Sequence, residues 1–401
     1  MRTVLFPEWI IDGSGAAPLS NHAVVIAGSV IESVVKADAV EARADDRVIK
    51  LAGMTLIPGL INNHVHLVLP GDNTPLMDVD KLSDAALAIR AVHNSQASLR
   101  SGVTTVRDVG ARGAIALDLR DAQAQGLIEG ARVMAGMWPI TITGGHTRNF
   151  GGVADGEDAL RQMVRYVVGR GADFVKVMAS GGGTPGSLPQ YPSYSVSELR
   201  AIVESAHALG RRVVAHCIAT ASIENAIDAG VDFMEHAMFM SPDQSISFDA
   251  RIAAKLAKSG IYVTPTLQVY RDSLDLAAEG PERSPFQRRV DEVRECTSKL
   301  RELGVPLLAG SDAGWRVTPF DTFWKELDEL VICGLTPVEA VSAATGKISR
   351  AWGYTKFGAV QPGQLADLVV VEGQLAADIR CLSRVRAVFQ GGEIVRSNLA
   401  R

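Results

Sequence analysis

Residues 56–68, LIPGLINNHVHLV, place His64 and His66 at the end of an apolar run. Residues two apart on a strand point to the same face of a sheet, so a strand here would aim both imidazoles at one point. Neutral imidazole is the commonest metal ligand in proteins, and two converging rings supply half of a four-coordinate site. A surface loop with two unrelated histidines is the alternative that the rest of the chain has to exclude.

The strand before His64 is the first of a series of short apolar strands separated by stretches of helical periodicity. Helical stretches such as residues 197–210 end in glycine, which is the residue expected just past a helix C-terminus. Alternation of this kind indicates βα units around a parallel sheet, and eight such units predict a TIM barrel. The seven further strands are predicted at 103–110, 132–140, 173–180, 211–217, 232–238, 261–267 and 305–312.

The two ends of the chain differ from the middle, because their apolar runs are short and separated by glycine and proline, as in a small β domain. We therefore predict an α/β fold with a (β/α)8 TIM barrel over residues 56–356. Residues 1–55 and 357–401 are predicted to form one small β-sandwich. A charged helical insertion at about residues 268–298 follows the seventh strand, and it can be either a lid or a solvated helix pair.

Composition limits the classes of partner. The chain has 401 residues, 47% of them hydrophobic and 21% charged, as in an ordinary soluble globular protein. A net charge of −5 gives no electrostatic reason to bind nucleic acid or an anionic membrane. Four cysteines without CxxC spacing favour reduced thiols. We expect a cytoplasmic homo-oligomer that acts on a small-molecule substrate.

In a TIM barrel the reactive residues lie at the C-terminal ends of the strands. Each candidate taken alone has a structural explanation, such as a histidine satisfied within the core or an aspartate that caps a helix. Their joint placement at strand ends favours a metal site instead. The six side chains are His64, His66, Lys176, His216, His236 and Asp312.

Lys176 is the unusual member, because an ammonium group in an apolar strand must pair with a carboxylate or lose its proton. Asp173 or Glu235 would be the ordinary partner. A neutral amine can instead react with CO₂ to form a carbamate, whose two oxygens can bridge two divalent cations. Cations about 3.5–4 Å apart can share one hydroxide and polarise a carbonyl.

Five segments together resemble the amidohydrolase superfamily, in its branch of binuclear enzymes with a carboxylated lysine. They are PGLINNHVH (58–66), FVKVMASGG (174–182), VVAHC (213–217), FMEHA (233–237) and AGSDAG (309–314), and the terminal IIDGSG (10–15) and GAVQPGQLADLVVVEG (358–373) agree. The resemblance covers nearly the whole chain. It implies His64, His66 and Asp312 on one divalent ion, His216 and His236 on a second, and N6-carboxylysine at Lys176 bridging both. Zn²⁺ is the default metal.

The resemblance also implies catalytic roles. Asp312 would bind metal and move a proton between the attacking hydroxide and the leaving nitrogen. Residues 138–152, WPITITGGHTRNFGG, resemble a loop of prolidase-like and imidazolonepropionase-like members, which implies that His146 polarises the scissile carbonyl. Arg148 could bind a substrate carboxylate, or it could be a solvated loop arginine. The glycine-rich residues 180–187 lack the Gly-Lys-Ser/Thr ending of a phosphate loop and are interpreted as a substrate-side loop.

Prolidase-like dipeptidases agree best in overall pattern. The resemblance implies hydrolysis of an amide bond in an Xaa-Pro or other C-terminal dipeptide, or in an N-acyl amino acid. Many of those enzymes have a tyrosine where this chain has Ile218, and Thr147-Arg148 replaces their frequent Gly-Asp. A non-peptide amide, carbamate, urea or lactone therefore stays open as substrate. A catalytically inactive scaffold is a second alternative, although all six ligand positions are filled. We also interpret Arg107 and Asp108 as a structural ion pair.

Overall fold

The computed structural model describes residues 2–41, 43–74, 79–277 and 283–399. The strands are β1 (Arg2–Ile10), β2 (Leu19–Ser20), β3 (His22–Ala27), β4 (Val30–Lys36), β5 (Arg47–Pro58), β6 (Leu60–Val65), β7 (Val103–Asp108), β8 (Arg132–Ala135), β9 (Val175–Met178), β10 (Val213–Ala219), β11 (Phe233–Met240), β12 (Tyr262–Thr264), β13 (Leu368–Glu372), β14 (Val385–Gln390) and β15 (Glu393–Ser397).

The α-helices are α1 (Asp84–Arg100), α2 (Ile115–Ala124), α3 (Glu157–Gly169), α4 (Val196–Ala208), α5 (Thr220–Ala229), α6 (Ala250–Ser259), α7 (Gln268–Leu276), α8 (Ser284–Glu302), α9 (Trp324–Ile332), α10 (Pro337–Ala343) and α11 (Gly346–Trp352). Short 3₁₀ helices span Ala37–Ala39, Arg148–Phe150 and Ile379–Ser383. The chain is thus α/β, as predicted. Within the described ranges, no helix combines the length and the apolar character needed to cross a bilayer.

Parallel pairing organises the middle of the chain. One sheet has the order β6-β7-β8 and another the order β12-β11-β10-β9. Single parallel bridges extend these ladders: Ile140–Val177, Val263–Leu307 and Val65–Ala313. The segment predicted as the eighth strand, residues 305–312, therefore takes part through isolated bridges. The central strands β6, β9 and β11 are buried at every position, as expected when helices cover both faces of a parallel sheet.

Local sequence signals fix several helix ends. Ser195 and Glu198 form a capping box at the start of α4, and each side chain accepts from the other residue's backbone N–H. At their C-termini, α5 and α6 are followed by Gly230 and Gly260 with φ of 81° and 76°, which are left-handed values that glycine adopts without strain. The predicted glycine-terminated helices are thus present.

Strands from both ends of the chain share one eight-stranded sheet, of order β15-β14-β13-β5-β1-β3-β4 with β2 paired to β1. The two ends are joined by β5, which pairs in parallel with β1 and antiparallel with β13. Arg132 of β8 and Asp367 connect this sheet to the central strands through an ion pair of 2.8 Å. The two-layer sandwich stays a prediction.

The insertion after β12 is helical, as predicted, in the part that the structure describes. It contains α7 and α8, while residues 278–282 of the predicted segment lie outside the described residues. The first turn of α7 is anchored to α9, because the backbone N–H of Gln268 donates to Glu326 Oε2 at 2.7 Å. This contact holds the first turn of α7 against α9.

Candidate metal centre

The six side chains predicted at strand ends lie together. His64 is on β6 and His66 follows it, whereas Asp312 follows the bridged segment after α8. Lys176, His216 and His236 are on β9, β10 and β11. All six are buried and line one cavity of about 350 Å³, together with His146.

Hydrogen bonds fix which nitrogen of His64 and His66 carries the proton. His64 Nδ1 lies 2.9 Å from Glu235 Oε2, and His66 Nδ1 lies 2.8 Å from the carbonyl oxygen of Gly110. A carbonyl or carboxylate oxygen only accepts, so each Nδ1 donates and each Nε2 keeps a free lone pair. These Nε2 atoms lie 3.2 and 3.5 Å from Asp312 Oδ1. Two lone pairs thus converge on one carboxylate.

The rings of His216 and His236 are fixed in the same way. His216 Nε2 lies 3.1 Å from the carbonyl oxygen of Gly181, which leaves Nδ1 unprotonated. His236 Nδ1 lies 2.7 Å from Thr266 Oγ1, and that hydroxyl donates its own proton to the carbonyl oxygen of Pro265. The hydroxyl therefore accepts from His236, whose Nε2 stays free. Metal-binding histidines characteristically have an acceptor of this kind behind the ring.

Distances and pKa shifts agree with a ligand cluster. One ligand atom from each of His64, His236 and Asp312 lies within 4.8 Å of the others. Burial lowers the pKa of His66 to about 4 and that of His216 and His236 well below the ordinary value, so these rings are neutral. Burial also opposes protonation of His64, but Asp312 and Glu235 outweigh it and raise the pKa of that ring.

Lys176 is buried, and its Nζ has no hydrogen-bond partner among the described residues. Burial lowers the pKa of the amine, against the attraction of Glu235 and Asp312. Neither ordinary partner considered above bonds to Lys176: Glu235 accepts from His64 through Oε2 while its Oε1 has no hydrogen bond among the described residues, and Asp173 pairs with Arg120 at 3.0 Å. Asp312 Oδ1 likewise lacks a hydrogen-bond donor within the described part of the chain. A divalent cation would satisfy the carboxylate oxygen of Asp312 but would repel an ammonium group at Lys176, so it would require that amine to be neutral.

His146 differs from the other rings. The backbone N–H of Thr184 points at its Nδ1 from 3.3 Å, and Thr184 Oγ1 lies 2.8 Å from the same nitrogen. Since a backbone N–H only donates, Nδ1 is the acceptor and Nε2 carries the proton. Burial lowers the pKa of His146 to about 3, so the ring is neutral and presents an N–H donor. The predicted substrate-side loop contacts it, because a Cβ on Gly182 would lie 2.4 Å from His146 Cδ2.

Two sequence interpretations need correction. Arg148 is exposed and is not among the residues that line the cavity, and its guanidinium donates to the carbonyl oxygens of Gly144, Gly145 and Pro185. It ties two loops together, so we do not retain it as a substrate ligand. The predicted ion pair of Arg107 and Asp108 is also wrong: Arg107 donates to Asn63 Oδ1 at 2.8 Å, whereas Asp108 accepts from backbone N–H groups.

Backbone strain is concentrated around the cavity. His236 and Asp312 have φ of 70° and 61°, and Thr147 and Thr266 beside the cluster have 57° and 53°. Left-handed φ is uncommon for residues other than glycine, and threonine is β-branched. Such strain persists where the surrounding structure holds it, often at functional sites.

Several residues of the site had no sequence signal. Glu235 was considered only as a partner for Lys176, and the carbonyl groups of Gly110 and Gly181 have no side chain to reveal them. Thr184 and Thr266 act through hydroxyl groups that are common in any loop. The glycine-rich character of residues 180–187 was the one available pointer, and it did indicate a loop beside the site.

Residues 55–395 match the model of the Amidohydrolase family, which is most of the chain. The chain belongs to the amidohydrolase family. This amidohydrolase is 26% identical to the ochratoxinase of Aspergillus niger, over 98% of its own length and 86% of the relative's. It is 24% identical to the imidazolonepropionase of Chromobacterium violaceum, over 94% and 93% of the two chains.

The fold of this amidohydrolase agrees with solved structures. A Xaa-Pro dipeptidase crystallised with methionine in its active site matches with a TM-score of 0.86 at 28% identity, covering 99% of this chain and 100% of the other. The crystal structure of the A. niger ochratoxinase matches with a TM-score of 0.84 at 25% identity, over 99% and 96% of the two chains. The amidohydrolase is a hydrolase that acts on C–N bonds.

Proposed function

We propose that this amidohydrolase is a binuclear metal-dependent enzyme that cleaves the amide bond of N-acyl amino acids or of C-terminal dipeptides such as Xaa-Pro. One observation carries the proposal: four buried imidazoles each donate one N–H to a fixed acceptor and keep the other nitrogen free. They share a cavity with an amine and a carboxylate oxygen that lack partners among the described residues. The matched Xaa-Pro dipeptidase supports the substrate class.

We propose that the central strands close into a (β/α)8 barrel over residues 56–356. Supporting this, the bridges Ile140–Val177, Val263–Leu307 and Val65–Ala313 would join the two parallel sheets and the segment 305–312 in one ring. Residues 1–55 and 357–401 would form the separate β-sandwich. Closure would bring the C-terminal ends of all strands to one rim.

His64, His66 and Asp312 would hold one ion and His216 and His236 the other, with Lys176 between them. The lowered pKa of Lys176 supports a neutral amine, which can add to CO₂ and release a proton to give an N-bound carboxylate. Neutral nitrogen and carboxylate ligands of this kind suit Zn²⁺. When bound, such ions lower the pKa of water and polarise a carbonyl group.

The chain's own residues would then move protons and bind the substrate carbonyl. Asp312, buried between His64 and His66, would accept a proton from the attacking water and pass it to the leaving nitrogen. His146 Nε2–H would donate to the carbonyl oxygen, whose negative charge increases in the transition state. Thr184 holds that ring in the donor tautomer.

The alternative is a non-peptide substrate such as an aryl amide, carbamate, urea or lactone. It is favoured by the apolar part of the cavity lining, where Ile218 replaces the tyrosine of many dipeptidases. The other large apolar lining residues include Met238, Met240, Val269, Phe286 and Trp315.

Metal analysis combined with a hydrolysis panel tests the proposal. We expect about two divalent ions per chain, and turnover of N-acyl amino acids and dipeptides ahead of carbamates, ureas and lactones. A chelator should abolish turnover and added metal should restore it. Turnover confined to carbamates, ureas or lactones would select the alternative substrate class. Less than one ion per chain with no turnover would indicate an inactive scaffold.

A further inference from the structure

Two guanidinium groups, which the metal chemistry does not use, line the same cavity as Asp312. Arg289 lies on α8, and its Nη1 is buried without a hydrogen-bond partner among the described residues. The carboxylate of Glu292 lies 4.0 Å from a different nitrogen of this group, Nε. Arg289 therefore keeps an unused donor inside the molecule, which is costly unless a ligand satisfies it.

Arg316 is positioned by the turn that follows Asp312. The backbone N–H of Trp315 donates to the carbonyl oxygen of Asp312 at 3.0 Å, and Arg316 comes next with a left-handed φ of 51°. The side chain of Arg316 is exposed at the mouth of the cavity that it lines, and none of the ion pairs between described residues includes it. A charged residue in a strained conformation, next to a catalytic turn and without a partner, is a candidate for ligand binding.

Tyr270 of α7 lines the cavity together with the two arginines and Asp312. Its hydroxyl donates to Met238 Sδ at 2.8 Å. Burial raises the pKa of Tyr270, Asp312 raises it further, and Arg289 and Arg316 oppose this. Because Arg289, Arg316 and Asp312 line the same cavity, one ligand bound there can lie beside all three side chains.

The charge of the cavity lining is unbalanced. Asp312 is the single carboxylate among the described lining residues, and it is already directed at the nitrogens of His64 and His66. The two guanidinium groups therefore have no counter-ion of their own within the cavity. A guanidinium binds a carboxylate through two parallel hydrogen bonds, which a neutral amide cannot reproduce.

We propose that Arg289 and Arg316 form a subsite for the free carboxylate of the substrate. The hydrolysis of a bound substrate at this subsite rests on the proposed function, whereas the binding of a carboxylate by the two arginines does not. The sequence had suggested Arg148 as the ligand of a substrate carboxylate. In this proposal two arginines on other segments bind that carboxylate instead. It also provides an anion contact in a cavity where Ile218 has no hydroxyl to offer.

A matched pair of ligands tests the subsite: N-benzoyl-L-phenylalanine and its C-terminal carboxamide, followed by release of benzoate. For the metal-loaded wild type we expect kcat/KM to be at least about tenfold higher for the acid, the scale of hydrogen bonds to a charged group. Arg289→Gln and Arg316→Gln should each lower kcat/KM for the acid about tenfold or more, through KM, and change the amide about twofold at most.

Two further variants act as controls. Arg288→Gln removes an exposed arginine of the same helix that does not line the cavity, so both ligands should behave as with the wild type. Arg289→Lys keeps the charge without the planar fork, and it should restore part of the preference for the acid if a Gln variant is unstable.

Direct binding separates the subsite from the reaction. In metal-loaded Asp312→Asn, titration calorimetry should show tighter binding of the acid than of the amide, and adding Arg289→Gln should remove the difference. If the wild type hydrolyses neither ligand, nor any N-acyl amino acid or dipeptide of the panel, but this binding preference is found, the subsite stands and the proposed reaction is wrong. If hydrolysis occurs with equal kcat/KM for acid and amide, or if binding shows no preference, the subsite is wrong.

Discussion

At the cavity, each of four histidine rings is paired with one group that accepts a hydrogen bond from it. Glu235, Gly110, Gly181 and Thr266 each accept a hydrogen bond from the ring N–H of one histidine, and this fixes the nitrogen that stays free. An acceptor behind the ring also makes the imidazole more basic. The geometry of the site is therefore set by groups that do not themselves reach the cavity centre.

Replacement of Lys176 is the sharpest test of the bridging role. Lys176→Ala should lose metal and reduce turnover by several orders of magnitude, because it removes the only side chain proposed to contact both ions. Wild type equilibrated with ¹³C-bicarbonate should show a carbamate carbon resonance that is absent in the variant. The exposed Lys258→Ala is the matched control and should retain both metal and activity. Full activity in Lys176→Ala would contradict the bridging role.

His146→Asn should reduce turnover about a hundredfold or more while metal content stays constant, which is the scale of removing an electrophilic donor. Gly182→Ala should act in the same direction, because its Cβ would lie 2.4 Å from His146 Cδ2 and must displace the ring. Gly169→Ala adds a methyl group where nothing lies within 4 Å, and it serves as the control. A loss of metal in His146→Asn would make His146 a ligand.

At the level of elements, the insertion forms one wall of the cavity. α7 contributes Val269, Tyr270 and Ser273, and α8 contributes Phe286 and Arg289. α7 is held in place by Glu326 and Lys325 of α9 and by Thr322, which precedes that helix. The sequence predicted helices here and left their purpose open. Their position supports a covering role, and movement as a lid stays a prediction.

Glu326→Ala should loosen α7. Burial raises the pKa of Glu326 well above its ordinary value, and Oε2 accepts from the backbone N–H of Gln268. Without this acceptor the first turn of α7 loses a buried hydrogen bond, worth about 1–3 kcal/mol. Amide hydrogen exchange across residues 268–276 should accelerate and KM should rise, with metal content unchanged. Glu326→Gln, which keeps an acceptor, should show a smaller effect; equal exchange in all three proteins would mean that other contacts hold α7.

For the whole molecule, acid should destabilise the metal-free protein. Folded His66 and His146 have pKa values of about 4 and 3, below the ordinary 6.5, so the unfolded chain binds protons that the folded chain does not. The free energy of unfolding should therefore fall as the pH drops from about 7 to about 4. Asp108 acts oppositely, because burial raises its pKa to about 6 and the folded state takes up its proton first.

Urea unfolding of chelator-treated protein at several pH values measures this balance. Four buried imidazoles with lowered pKa values oppose chiefly three groups with raised ones, namely His64, Asp108 and Glu326, so the net change on acidification should be a loss of stability. Asp108→Asn should steepen that loss, and His146→Asn should make it shallower. A stability that increases from pH 7 to pH 4 would mean that the folded state holds these rings charged.

How far the sequence could predict the molecule differs between levels. Periodicity and glycine positions predicted the alternating elements, and strand ends predicted the cluster around His64 and Lys176, because both follow from local spacing. Residues 305–312 were predicted to be an ordinary strand, whereas in the structure they pair only through isolated bridges. Their apolar character does not reveal how many hydrogen bonds they form with neighbouring strands. Arg289, Arg316 and Glu235 were missed as site residues because their roles depend on contacts between distant segments.

The pairing of β5 with β13 has a consequence for synthesis on the ribosome. β5 emerges early and pairs with β1, but its other edge has no partner until almost all of the chain has been translated. An unpaired strand edge is a template for other chains. Nascent or prematurely terminated products should therefore require chaperone protection, and stop codons between the two strands should yield insoluble fragments instead of soluble, inactive barrels.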